Sequence, residues 1–161
     1  EGGLQWPCPS PDHPGTPTLH GDGPIIGKGA FQAVSYRPSA ELADPEYPLV
    51  LSTGRTLYHY NSATQTRRDE GLDNKQSQNF IEVHPRDARK LGVDHGDRVR
   101  VISRRGAIGA VVKRTRSVRP GCVWMPFHFA EDMANRLTND AGDAVTGTGE
   151  YKVCAVRVEV G

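Results

Sequence analysis

Short apolar segments separated by tight turns recur along the chain from residue 48 to residue 160. They are rich in β-branched residues, and the six segments are Pro48–Ser52, Phe80–Val83, Arg98–Ser103, Ala107–Lys113, Cys122–Met125 and Val153–Val160. Segments of this length and composition predict strands, and Arg105-Gly106 between two of them predicts a β-hairpin. Only short helices fit between such strands. The pattern therefore favours a mainly β fold, a strand-rich barrel, over a doubly wound α/β sheet.

Two short helices are predicted between the strands. The segment from His84 to Gly92 has Pro85 in its first turn and a glycine at its end, which are typical start and stop residues. The segment Glu131–Leu137 is also predicted to be helical. Asn135 and Asn139 would then lie on one helix face, where they would either read the edge of a base or cap the helix.

The first 46 residues differ in composition from the rest of the chain. They are rich in proline and glycine and carry six acidic residues against two basic ones. Such a composition does not build a core, so we predict an extended arm over residues 1–46 that crosses another surface and is disordered in isolation. The folded domain is predicted over residues 47–161. Because the sequence starts at Glu1 without a methionine, we expect a processed or excised piece of a longer chain.

Charge, hydropathy and cysteine content argue against several classes of protein. The formal net charge of +1 disfavours a general polyanion binder. No apolar run approaches the roughly 20 residues of a membrane-spanning helix. Cys8, Cys122 and Cys154 lie far apart and form no C-x-x-C pair, so neither a disulfide framework nor a zinc site is indicated. A reducing, cytoplasmic location is preferred, and a periplasmic parent stays open because its targeting signal would lie upstream.

A basic stretch extends from Arg98 to Arg119, with eight basic residues and no acid. Nucleic acid is the first partner that such a stretch suggests. The stretch contains no interleaved aromatic residues on which bases would stack. We therefore favour the alternative, in which the basic stretch is the solvated face of a hairpin.

The first strand breaks at Thr53-Gly54 into a polar loop. The loop is rich in hydrogen-bond donors, namely Arg55, His59, Asn61, Thr64, Thr66, Arg67 and Arg68. Glycine allows a close backbone approach, and arginine provides a planar fork for oxygen atoms, so the loop is typical of a site for a phosphate-like anion. An ordinary surface loop after a core strand is the alternative, and this stretch alone does not decide between them.

A second polar region follows the strand Cys122–Met125. Its members are Pro126–Phe129, Asn135, Thr138–Asp140 and Glu150–Lys152. Like the first loop, it begins where an apolar strand ends, so two such loops of one barrel could meet over a single ligand. His128 between two aromatic residues is otherwise a packed histidine, and Lys152 is otherwise an ordinary surface lysine.

Five segments of the chain together resemble one domain family. In order along the chain they read STGRTLYHYNSATQTRR, HPRDARKLGVDHGDRVRV, SRRG, VRPGCVWMPFHFAEDMANRLTND and EYKVCAVRVEV. They are similar to the C-terminal molybdopterin-dinucleotide-binding domain of molybdenum and tungsten oxidoreductases, and above all to that of formate dehydrogenase catalytic subunits. The resemblance covers about residues 47–160. It implies a six-stranded double-psi β-barrel with short helices, preceded by the extended Pro/Gly-rich arm.

The resemblance also implies a ligand for the two polar loops. That ligand is bis-molybdopterin guanine dinucleotide carrying molybdenum or tungsten. The cofactor-binding positions carried over one by one are Thr53, Gly54, Arg55, His59, Tyr60, Asn61, Thr66, Arg67, His128, Asn135, Tyr151 and Lys152. Lysine and arginine would neutralise phosphate, while asparagine and tyrosine would hydrogen-bond the edges of pterin or guanine. The domain would bind and orient the cofactor in a parent enzyme that oxidises formate to carbon dioxide.

The resemblance implies neither a catalytic residue nor a metal ligand in this chain. In the family, the 4Fe-4S cluster, the cysteine or selenocysteine that ligates the metal and the residues beside the substrate belong to upstream domains. The expected partners are those domains of the same catalytic subunit and electron-transfer subunits, with no nucleic acid and no direct membrane span. A non-enzymatic double-psi barrel that recognises proteins is the alternative from another class, and it would leave the donor loops unexplained.

Overall fold

The chain divides into two compact units, Glu1–Arg37 and Pro38–Gly161. The computed structural model describes residues 6, 8–16, 21, 23 and 26–161. Among the described residues of the first unit there is no helix or strand. Several residues of the predicted arm lie outside the described ranges, so its disorder in isolation and its boundary at residue 46 stay predictions.

The second unit is built around a closed barrel of six strands. The strands are β1 (Leu49–Gly54), β2 (Phe80–Val83), β3 (Arg98–Ile102), β4 (Ala107–Arg114), β5 (Cys122–Pro126) and β6 (Cys154–Val160). Around the barrel they follow the order β1-β5-β2-β4-β3-β6. The prediction of a mainly β, six-stranded barrel with short helices is confirmed.

The pairing of the strands brings three chain segments to one end of the barrel. β1 and β5 are parallel, with Gly54 opposite Pro126, so the loops that follow these two strands begin at the same end of the barrel. β6 runs antiparallel to β1, with Cys154 opposite Leu51, so the residues that lead into β6 lie beside the end of β1. The predicted hairpin is also confirmed, since β3 and β4 pair antiparallel.

Alternate residues of the strands fill the interior of the barrel. In β1, buried positions alternate with half-buried ones, and Leu51 is completely buried. The other strands contribute fully or almost fully buried side chains, among them Ile81, Val83, Val101, Val112, Val123, Met125 and Val156. Each such side chain contributes about 1.5–3 kcal/mol relative to an exposed position. Hydrophobic burial is therefore the main stabilising contribution to the barrel.

Two short α-helices and two 3-10 turns connect the strands. Their bounds are α1 (Glu70–Asp73), α2 (Pro85–Leu91) and the 3-10 turns Thr66–Arg68 and Ala134–Arg136. Helix α2 is the predicted one: the His84 ring accepts a hydrogen bond from the Arg86 N–H at its start. At its end Gly92 has a left-handed backbone (φ 70°), which glycine adopts without steric cost.

The predicted helix over Glu131–Leu137 is wrong except for its single 3-10 turn. Asp132 is held by the barrel: its carboxylate accepts the Gly109 N–H (2.9 Å) and its carbonyl accepts the Asn79 side-chain amide (2.9 Å). Met133 is extended (ψ 113°), so a helix cannot pass through it. As a result, Asn135 and Asn139 do not share a helix face.

The tip of the β3–β4 hairpin forms ion pairs with the segment that precedes β1. Arg104 pairs with Glu41 (2.9 Å) and with Asp44, and Arg105 pairs with Glu41 (2.6 Å). The Glu41 carboxylate, 11% exposed, also accepts the Ala155 N–H of β6 (3.0 Å). The prediction that the basic stretch is only a solvated face is therefore wrong at the hairpin tip, where acids from a distant segment pair with it.

Candidate functional site

A cleft of about 740 Å³ opens at the end of the barrel where the three segments converge. Its lining consists of Thr53, Arg55, Phe127, Asn135, Tyr151 and Lys152. Five of these six were predicted as site residues from the sequence. Phe127 was not, although an aromatic residue directly after a strand, beside a predicted site histidine, was an available signal. We call this cavity the cationic cleft, for the reason given below.

Two hydrogen bonds join Thr53 to the residues before β6 in the lining of the cationic cleft. The Thr53 hydroxyl donates to the Tyr151 carbonyl (2.8 Å), and the Lys152 ammonium donates to the Thr53 carbonyl (2.7 Å). Thr53 itself is 3% exposed. Thr53 therefore connects the two polar regions through hydrogen bonds, while the Arg55 and Lys152 side chains line the cleft beside it.

Two cations and no acids line the cationic cleft among its described residues. The Arg55 guanidinium and the Lys152 ammonium each lie 5.8 Å from the centre of the Phe127 ring, within cation–π distance. Arg55 also donates to the Asn61 side-chain oxygen (2.9 Å). Unpaired positive charge in a concave, partly aromatic site favours an anionic ligand that also has flat, apolar surface.

The segment that carries Asn135 is held in place by the hairpin tip. Arg105 donates two hydrogen bonds to the Leu137 carbonyl, at 3.0 Å from Nε and 2.9 Å from Nη2. Ala134 and Leu137, on either side, are completely buried. Asn135 is thus an exposed residue between two buried anchors, and its amide faces the cleft region from a fixed backbone.

The structure gives Gly54 a packing role. A Cβ atom at this position would lie 2.5 Å from Nε1 of the Trp124 indole on the neighbouring strand. The indole in turn packs on Phe80, with 5.7 Å between the ring centres. The glycine is therefore required by Trp124, and its predicted contact with a cofactor stays a prediction.

His59 and Thr66 lie away from the cationic cleft. His59 is 2% exposed, and its Nε2–H donates to the Gln76 carbonyl (2.7 Å). Its Nδ1 then accepts from the Thr66 hydroxyl (3.0 Å). Both ring nitrogens are used within the protein, so the structure shows His59 as a support of the first polar loop.

Arg67 also supports the loop from outside the lining of the cleft. It pairs with Glu131 (2.8 Å) and Asp73 (3.2 Å) and lies over the Phe129 ring (5.2 Å). The hydrogen bond to Glu131 is the largest of the effects that raise the pKa of Arg67, and the same bond lowers the pKa of Glu131. These contacts connect the first polar loop to the segment after β5.

His128 is packed, as one of the two sequence interpretations predicted. It is 1% exposed; its Nε2 accepts the Thr56 N–H (2.9 Å), and its Nδ1–H donates to the Asn61 carbonyl (2.5 Å). Burial lowers the pKa of His128, the hydrogen bond to Asn61 raises it, and the electrostatic effects of the His59 ring and the Arg55 guanidinium lower it further. The ring is therefore a neutral imidazole near pH 7.

Tyr60 and Asn61 reach the surface beside these packed residues. Tyr60 is 49% exposed, and Asn61 has a left-handed backbone (φ 48°) that non-glycine residues rarely adopt. Asn61 also lines a smaller cavity of about 360 Å³, which shares Phe127 and Asn135 with the cationic cleft. Asn61 therefore borders the site through this smaller cavity, and neither Asn61 nor Tyr60 lines the cationic cleft itself.

The described part of the chain offers no sign of a protein-bound metal or a membrane helix. It has no group of three or more histidine, cysteine, aspartate or glutamate side chains placed to hold a metal ion. None of its helices combines the length and apolarity needed to cross a membrane.

Comparison with known proteins supplies the context. A family model described as "Molydopterin dinucleotide binding domain" matches residues 49–155. The chain is 49% identical over 159 residues to "F420-dependent formate dehydrogenase 2 subunit alpha" of Methanococcus maripaludis, covering 98% of this chain and 24% of that protein. It is 38% identical over 175 residues to the periplasmic nitrate reductase of Desulfovibrio desulfuricans, covering 98% and 23%.

A solved structure shares the fold. Acetylene hydratase from Pelobacter acetylenicus superimposes with a TM-score of 0.65 at 17% sequence identity, over 72% of this chain and 19% of the other. The chain thus spans about a quarter of the length of the curated relatives that it matches. Since the family model covers most of the barrel and both polar regions, the chain belongs to the molybdopterin dinucleotide-binding domain family.

Proposed function

We propose that the cationic cleft binds the pyrophosphate-bearing part of a bis-molybdopterin guanine dinucleotide and orients it for an oxidoreductase. Membership of the family supports a molybdopterin cofactor. The observation that carries the proposal is that Arg55 and Lys152, from opposite ends of the domain sequence, meet on one cleft, whose described lining contains no acid. Two fixed cations suit a ligand with two phosphate groups.

The side chains of the cleft fit the chemistry of such a ligand. Arg55 and Lys152 would neutralise phosphate oxygens, and the Asn135 amide and the Tyr151 hydroxyl would hydrogen-bond the edges of pterin or guanine. Phe127 offers apolar surface between them. Thr53 acts indirectly, because both its hydroxyl and its carbonyl are already bonded to the segment before β6.

The parent activity that we propose is the oxidation of formate to carbon dioxide, with release of one proton and two electrons. Its basis is the relative that is 49% identical to this chain, a formate dehydrogenase subunit. The cofactor, with molybdenum or tungsten, supplies the redox chemistry when bound. This chain contributes binding and orientation. A 4Fe-4S cluster, the metal-ligating residue, the other domains of the catalytic subunit and electron-transfer subunits would lie outside it.

Titration of the purified chain with guanosine diphosphate at low salt tests the proposal. One domain offers only part of the contacts, so we expect millimolar affinity, about −4 kcal/mol. Arg55→Ala should weaken binding about tenfold, since a hydrogen bond to a charged group contributes roughly 1.5–3 kcal/mol when fully formed. Arg68→Ala is the matched control, because Arg68 is exposed in the same loop and does not line the cleft.

Two results would contradict the proposal. One is the absence of saturable binding to the unmodified chain at low salt. The other is equal loss of affinity in the Arg55→Ala and Arg68→Ala variants, which would indicate diffuse attraction to positive charge and not a site.

A further inference from the structure

We infer that His128 is a positioning residue that holds the loop from Thr56 to Asn61 in the conformation that directs Arg55 into the cationic cleft. This inference rests on the proposed function, because it gives Arg55 the role of anion ligand. It assigns His128 a role different from direct contact with the cofactor. Three relationships in the structure support this role, and they concern the ring, the loop and the arginine.

The first relationship is the way the imidazole spans the loop. His128 lies 72 residues after Thr56 and 67 after Asn61, and it bonds to the backbone of both. One ring nitrogen accepts at the start of the loop, and the other donates at its end. The ring therefore fixes the separation of the two ends of the loop. We call these two hydrogen bonds of His128 the brace.

The second relationship concerns the backbone that this brace holds. Asn61 and Ala63 have positive φ angles of 48° and 58°. Asparagine tolerates this conformation, but alanine keeps it only where the surrounding structure enforces it. The bond from His128 to the Asn61 carbonyl lies in the same turn, two residues before Ala63, so its loss should let the turn relax.

The third relationship connects the turn to the cleft. Asn61 bonds twice: its carbonyl accepts from His128, and its side-chain oxygen accepts from Arg55 (2.9 Å). A change in the Asn61 backbone therefore moves the partner that orients the guanidinium. Arg55 is exposed, whereas His128 is 1% exposed with both nitrogens occupied. The exposed arginine is thus the group available to a ligand, and the histidine acts through it.

The brace requires an unprotonated Nε2, because that atom accepts a hydrogen bond from the Thr56 N–H. In the described part of the chain, the charged or titratable groups near the ring are His59, at 5.8 Å between ring centres, and Arg55. Lys152 lies over the neighbouring ring of Phe127, and Arg67, which pairs with Glu131, lies over that of Phe129. Burial, the largest effect on the pKa of this ring, opposes protonation of His128, as does the Arg55 guanidinium, while the hydrogen bond to Asn61 acts in the other direction. The brace should therefore be intact at neutral pH and should open as the pH falls.

Amide hydrogen exchange of the full 161-residue chain, combined with guanosine diphosphate titration, tests this inference. His128→Ala should accelerate exchange of the Thr56 amide and weaken guanosine diphosphate binding, each by roughly tenfold, the effect of one lost hydrogen bond. His128→Gln keeps a donor and an acceptor, so it should restore part of both. After correction for intrinsic exchange, the exchange of the Thr56 amide in the unmodified chain should still depend on pH. His128→Gln should remove this remaining pH dependence.

His84→Gln is the matched control, because His84 also accepts a backbone N–H but at the start of helix α2. It should leave Thr56 exchange and guanosine diphosphate affinity unchanged. Two outcomes overturn the inference: unchanged Thr56 exchange in His128→Ala, or weakened binding while Thr56 and the Arg55 side chain behave as in the unmodified chain. The second outcome would mean that His128 contacts the ligand itself.

The inference can still be tested if the His128→Ala variant does not fold or if guanosine diphosphate does not bind. If the His128→Ala variant does not fold, the unmodified chain decides the question. The inference is overturned if the pH dependence of Thr56 amide exchange in that chain does not follow the titration of His128. If guanosine diphosphate does not bind to the unmodified chain, the proposed function fails. The exchange measurements, which need no ligand, still decide whether His128 holds the loop.

Discussion

The ammonium group of Lys152 donates a hydrogen bond to the backbone carbonyl of Thr53, 99 residues earlier in the chain, at 2.7 Å. This contact brings the second polar region to the end of β1 and fixes the position of a cation at the cleft. The side chain of a lysine that would otherwise be an unremarkable surface residue thereby becomes part of the site. The charge itself is still available, since an ammonium group has two further donor hydrogens.

Replacement of Lys152 by methionine keeps most of the stem and removes the charge. We expect the affinity for guanosine diphosphate to fall about tenfold, which corresponds to about 1.4 kcal/mol. Lys113→Met is the control, because Lys113 pairs with Glu82 on the outside of the barrel. Calorimetric titration of both variants measures the effect, and equal losses would show that the cleft has no special role.

The hairpin tip should matter more for stability than the rest of the basic stretch. Arg105→Ser removes the ion pair with Glu41 and two hydrogen bonds to the Leu137 carbonyl. We expect it to lower the free energy of unfolding by about 1–2 kcal/mol, less than a fully buried charge pair because the side chain is 30% exposed.

Arg114→Ser provides the comparison for Arg105. Arg114 pairs with Asp94 at an exposed position, so its replacement should change the free energy of unfolding by no more than about 0.5 kcal/mol. Urea denaturation of both variants gives the two values. Equal effects would show that the hairpin tip is no better anchored than its solvated neighbours.

Gly54→Ala tests the contact between β1 and the Trp124 indole. The added Cβ would overlap the ring, so we expect a loss of about 1–3 kcal/mol, as for overpacked cores. In a chain that already carries Trp124→Leu, the same substitution should cost much less, because the overlapping atoms are absent. A double-mutant cycle by urea denaturation measures this coupling. Additive effects would exclude the indole as the reason for glycine.

From the contacts of the Glu41 carboxylate we expect the free energy of unfolding to decrease in acid. Burial alone would raise its pKa, but hydrogen bonds from Arg105, Ala155 and Arg104 and the charge of Arg105 lower it below the ordinary value of 4.5. Because the pKa of Glu41 is lower in the folded state, the contribution of its carboxylate to the free energy of unfolding is fully present above about pH 4.5. It is lost as the pH falls through the lower folded-state value.

Glu41→Gln should therefore reduce the free energy of unfolding near neutral pH and make its decline below about pH 4.5 less steep. Glu46→Gln is the control, because that carboxylate is 71% exposed and lies 3.8 Å from Arg157. Denaturant titrations at a series of pH values follow the effect. The same slope in the Glu41 variant and the unmodified chain would contradict the assignment.

Local signals in the sequence predict most of the barrel. The strands β2 and β5, the hairpin and helix α2 follow from short apolar runs, from Arg105-Gly106 and from the residues that start and stop the helix. The helix predicted after β5 fails for a non-local reason. Asn79 and Gly109 bind Asp132 from 53 and 23 residues away, and this holds the segment extended.

The site is predictable in its residue types and less so in their roles. Arg55 and Lys152 line the cleft as the two polar loops predicted. Arg67 and His59 stand in the same loop, yet they face protein partners, Glu131 and Gln76. Which donor in a polar loop remains free depends on acceptors supplied by distant segments. Such pairing cannot be read from the spacing of the donors alone.

Closure of the barrel has a further consequence for how this domain associates. In the described part of the chain, each of the six strands has a neighbour on both sides. No strand edge is then open for the addition of a foreign strand, the usual first step of β-sheet aggregation and of peptide capture by edge pairing. Association of the barrel with another protein then relies on side chains, including those of the connecting loops. Recognition by this domain can therefore diversify by loop substitution while the ladder of main-chain hydrogen bonds is kept.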